Sequence, residues 1–102
     1  MKIQPILADE LKHELDAIDS RAFKMASSVL YDPAMRTDLA QEADRLSRRL
    51  VEVQKQLERE DPGACDRRRS QISEATLDLT YVRLDIPLLS LRLGQMKRTM
   101  GG

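Results

Sequence analysis

The stretch Ile72-Ser73-Glu74-Ala75-Thr76-Leu77-Asp78-Leu79-Thr80-Tyr81-Val82-Arg83-Leu84-Asp85-Ile86-Pro87-Leu88-Leu89-Ser90-Leu91-Arg92-Leu93 decides the fold. One apolar row runs through Ile72, Ala75, Leu79, Val82, Ile86, Leu89, Leu93, Met96 and Met100, alternating three and four residues. That is the a/d spacing of a helix packed along a seam, and a strand would need a period of two. A second row, Leu77, Tyr81, Leu84, Leu88 and Leu91, occupies the c and f positions of the same heptads. At about 100° per residue the two rows lie on nearly opposite sides. Ser73, Thr76, Asp78, Thr80, Arg83, Asp85, Ser90 and Arg92 fill the columns between.

Upstream, two more helices announce themselves. The first, over about residues 5–30, carries Leu11, Leu15, Ile18, Ala22, Met25 and Val29 in the same alternation. It stops at Tyr31-Asp32-Pro33, where Asp caps and Pro opens a second helix, over about residues 33–60. There the seam is Met35, Leu39, Ala43, Leu46, Leu50, Val53 and Leu57. Asp61-Pro62-Gly63 repeats the device and opens the third helix, over about residues 63–99. Pro87 removes one backbone hydrogen bond, but the apolar pattern keeps its phase through it, so the sequence predicts a kink there. Gly94 weakens the last turns, and Gly101-Gly102 reads as a frayed end. The expected architecture is a single all-α domain over residues 1–102. It is an antiparallel three-helix protein, a helical hairpin plus a long third helix, assembled as an oligomer.

Composition supports this and removes other classes. The chain has 102 residues, 41% hydrophobic and 33% charged, a normal balance for a folded helical protein. Phe23, Tyr31 and Tyr81 are its only aromatics, so aliphatic side chains must fill the core. Formal net charge is +0, which with so few aromatics argues against general nucleic-acid binding. Cys65 is the single cysteine, so no intramolecular disulfide forms, which suits a reducing compartment. The opening Met1-Lys2-Ile3-Gln4-Pro5-Ile6-Leu7-Ala8-Asp9-Glu10 lacks a continuous apolar run, and no stretch reaches membrane-spanning length. The expectation is a cytoplasmic protein with no membrane contact.

The second row carries the functional expectation. Burying one apolar side chain contributes about 1.5–3 kcal/mol, so five left in water would forgo a substantial sum. A second chain covering Leu77, Tyr81, Leu84, Leu88 and Leu91 recovers it, and such rows usually mark interaction sites. One competing reading has Leu88 and Leu91 widening the core stripe after the Pro87 kink, and another has the first two helices packing on opposite sides of the third. In a compact bundle, though, the two neighbours take adjacent flanks. The sequence therefore predicts a non-enzymatic interaction module, such as an adaptor, small chaperone or assembly component. Its partner is a second copy in a symmetric dimer, or a helix of another protein.

Polar groups supply the alternatives. Arg67, Arg68 and Arg69 stand in the first turns of the third helix, where they form a candidate anion site or compensate Glu58, Glu60 and Asp61 across the turn. Arg45, Arg48 and Arg49 are expected opposite Asp16 and Asp19, setting the hairpin register. His13 has no second histidine and no ligand spacing to Cys65, so no metal or other cofactor is expected. Cys65 has no neighbouring base that would make it a nucleophile.

Leu7-Ala8-Asp9 with His13-Glu14-Leu15 and Ile18 resembles the phosphoacceptor box of sensor histidine kinases. That resemblance implies phosphotransfer through His13 on a helical hairpin, although Asp16 and Ala17 replace the arginine and proline of the box. Leu11-Lys12 with Glu14-Leu15-Asp16-Ala17-Ile18-Asp19, and Tyr31-Asp32-Pro33-Ala34-Met35-Arg36, resemble parts of the all-helical chorismate mutases. This second resemblance implies a small helical enzyme. The helix between the two segments is shorter here, and the cationic residues which that family places in it are absent.

Overall fold

The computed structural model describes residues 5–84. Among the described residues there are four helices and no strand: α1 (Pro5–Tyr31), α2 (Met35–Glu60), α3 (Pro62–Arg67) and α4 (Arg69–Leu84). The three longer helices pack mutually, each against the other two, while α3 lies on α2. Pro87, Gly94, the terminal glycines and the apolar rows from Ile86 to Met100 lie outside the described residues.

The core is built from the seams the sequence marks. On α1, Leu11, Leu15, Ile18, Ala22, Met25 and Val29 are all buried, joined by Ala8 and Ala26. On α2, Ala43, Leu50, Val53 and Leu57 are buried, whereas Leu39 and Leu46 are only partly covered and Met35 is exposed. On α4, Ile72, Ala75, Leu79 and Val82 close the same cluster. Small residues at Ala22, Ala43 and Ala75, each fully buried, fill the core where larger ones would force the helices apart.

Three expectations need correction. The third helix does not run unbroken from 63, because Arg68 separates α3 from α4. Its backbone sits at φ −102, ψ 13, and its N–H is shared among the carbonyls of Ala64, Cys65 and Asp66. Neither Gly nor Pro stands at the break. Ala64 and Cys65 are buried where α3 lies on α2, whereas α4 must contact α1 as well.

Helix α2 begins at Met35, two residues later than expected. Asp32 Oδ1 accepts from the Ala34 N–H at 3.2 Å, and its carbonyl accepts from Met35 at 3.0 Å, so Asp32-Pro33 makes a turn rather than a cap. Asp61 does cap: its Oδ1 accepts from the Ala64 N–H at 3.1 Å, with Pro62 opening α3.

The third correction concerns ion pairing. Arg45, Arg48 and Arg49 do not meet Asp16 and Asp19. Arg49 instead grips both oxygens of Glu14 and also bonds Glu52, while Arg48 pairs with Asp44 at 3.1 Å. Asp16 and Asp19 face α4, where Arg68 and Gln71 take them.

Candidate functional site

The c/f row of the third helix divides in the fold. Leu77 is half-buried, Tyr81 is 3% exposed and Leu84 is 52% exposed. Leu88 and Leu91 lie outside the described residues. Tyr81 belongs to the chain's own core, and the Arg36 guanidinium sits 4.9 Å from its ring centroid. A guanidinium over an aromatic face is attracted by the ring's negative face. The same contact brings the first turn of α2 beside the end of α4. Met35, next to Arg36, is 36% exposed, and Tyr31, at the end of α1, is 91% exposed.

Burial on α4 is wider than one seam. It runs from Ile72 and Leu79 through Ala75, Val82 and Asp78 round to Tyr81, about half the circumference at about 100° per residue. Asp78 is 1% exposed, a carboxylate drawn inside because its position falls within that broad arc.

What remains outside is an uncharged strip. Ser73, Thr76, Leu77, Thr80 and Leu84 share an arc of about 100°, all exposed or half-buried. The Thr76 hydroxyl donates to the Ile72 carbonyl at 2.8 Å, and the Thr80 hydroxyl to the Thr76 carbonyl at 2.7 Å. With their protons turned back onto the helix, both threonines have less need of water as a hydrogen-bond acceptor. In a chain that is 33% charged, the strip carries no ionisable group over the roughly three turns from Ser73 to Leu84, and Arg69 stands one turn before it. Arg83 borders it and is turned toward α2, with Nε 3.6 Å from Asp44 and Nη1 donating to Ser47 at 3.5 Å.

Reading the row by apolarity alone missed Ser73, Thr76 and Thr80. The available signal was the run of uncharged positions at helical spacing.

The arginine run is dispersed. Arg68 Nη1 donates to Asp16 at 2.6 Å and to Gln71 at 3.0 Å, and Gln71 in turn donates to Asp16 and Asp19. Gln71 and then Arg68 hold the Asp16 carboxyl below its ordinary range. Arg69 donates to Asp66 at 2.7 Å, and the Arg67 guanidinium lies back over Gly63. The hydrogen-bonded partners are thus Asp16 and Asp66, while of the expected Glu58, Glu60 and Asp61, Glu58 acts on Arg69 and Asp61 on Arg67 through charge alone.

His13 is exposed on α1. Cys65 is buried, and that burial, with Glu58 nearby, pushes its thiol up from its ordinary value, away from the reactive thiolate. Among the described residues no group of three His, Cys, Asp or Glu side chains is placed to hold a metal ion, and no helix is long and apolar enough to cross a membrane.

Comparison with protein-family models, with curated proteins and with solved structures finds nothing that matches this chain.

Proposed function

We propose that the chain is a non-enzymatic protein–protein interaction module that pairs with a second copy of itself through the outer face of the third helix. Leu84 is the centre of that contact, Leu77 is at its edge, and Leu88 and Leu91 extend it. Tyr81 serves as the floor that fixes α4 against α2. The observation that carries this reading is Leu84, a leucine with half its side chain in water at the end of an uncharged helical strip. Covering it is favourable by about 25 cal/mol per Å² of apolar surface removed from water, and the strip offers no charge to desolvate in doing so. Tyr31 and Met35 are likewise exposed, at the end of α1 and the start of α2.

The reading includes an antiparallel topology. Glu14 with Arg49 and Arg21 with Glu42 pair a later α1 residue with an earlier α2 residue, as an antiparallel hairpin would. Closed two-fold pairing is the commonest way for one surface to satisfy itself, which makes the homodimer the first expectation. The reading extends to a role as adaptor, small chaperone or assembly component in the cytoplasm.

Sedimentation equilibrium of the wild type and of Leu84→Glu tests the reading. A wild-type dimer that the variant converts to a folded monomer supports it. A purified wild type that stays monomeric over the whole concentration range overturns it.

A further inference from the structure

No further inference is drawn: the strongest candidate, the groove along α2 lined by Arg49, Glu52, Lys55, Gln56 and Arg59, is walled by long side chains of a single helix with Arg49 already held by Glu14 and Glu52, and nothing in the structure shows what would fill it.

Discussion

Arg68, the residue at which the third helix breaks, reaches across to α1 and donates to the Asp16 carboxylate at 2.6 Å. The residue that interrupts one helix is thereby tied to another. Gln71, one turn further on, bonds Asp16 and Asp19 and completes a polar patch along the α1–α4 seam. Comparable links cross the other seams: Arg21 to Glu42 and Arg49 to Glu14 between α1 and α2, and Arg83 to Asp44 between α2 and α4. These pairs are half-exposed, so they set register more than they add stability.

Removing one should therefore have a small effect. Asp16→Asn keeps the shape and the Gln71 contact but loses the charge. The expected cost is at most about 1 kcal/mol, as for other exposed pairs. Urea denaturation at low salt measures it, and the loss should shrink at high salt as screening grows.

Acid should weaken the fold through the same groups. Arg49 holds the Glu14 carboxyl below its ordinary value, Arg21 does so for Glu42, and Gln71 with Arg68 does so for Asp16. A carboxyl with a depressed folded pKa contributes stability that is present above its unfolded value. That contribution disappears as pH falls through the folded value. The unfolding midpoint should thus be flat from neutrality down to about pH 5 and decline below about pH 4, where unfolded carboxyls titrate. The Glu14→Gln variant should show a shallower decline, followed by circular dichroism across that range.

Core truncation should cost far more. Leu79 is fully buried in the cluster where α1, α2 and α4 meet. Leu79→Ala removes apolar atoms and leaves a cavity, with an expected loss of about 2–5 kcal/mol. Val51, 49% exposed on α2, is the control, and Val51→Ala should stay within about 0.5 kcal/mol of wild type. Paired denaturation curves separate the two.

The cap at the head of α3 is worth a separate test. Asp61→Ala removes the acceptor for the Ala64 N–H and a contact with Lys12. A loss of about 1 kcal/mol is expected, as for other side-chain caps. Asp32→Ala should cost less, since its side chain bonds a turn amide at 3.2 Å and caps no helix. Thermal melts of the two variants check the order.

The contrast between Leu15 and Tyr81 explains what the sequence could reveal. Leu15 lies in an unbroken row at three-four spacing, and such a row can be satisfied only by burial along one side. The α1 seam was therefore legible in full, and the α4 seam through Val82 equally so. Tyr81 was placed on an outward face because spacing gives angle but not the width of cover. The first turn of α2 reaches Tyr81 with Arg36, and the same wide cover takes in Asp78. The Arg68 break was illegible for a different reason. Neither Gly nor Pro marks the break, so its place at Arg68 shows only in the fold. Ion-pair partners depend on where long side chains land, so spacing alone does not reveal that Asp16 and Asp19 meet Arg68 and Gln71 rather than α2. Of the candidate contact row, Leu84 was legible as an outward apolar residue, whereas the threonine strip beside it needed the hydroxyl directions.

The central claim is that the outer face of α4 is made to be covered by a second chain, and the mass of the assembled wild type against that of Leu84→Glu tests it most directly. The account predicts a wild-type dimer and a folded monomeric variant with unchanged helical circular dichroism. A purified wild type that remains monomeric at every concentration, or a Leu84→Glu protein that assembles as well as the wild type, would contradict it.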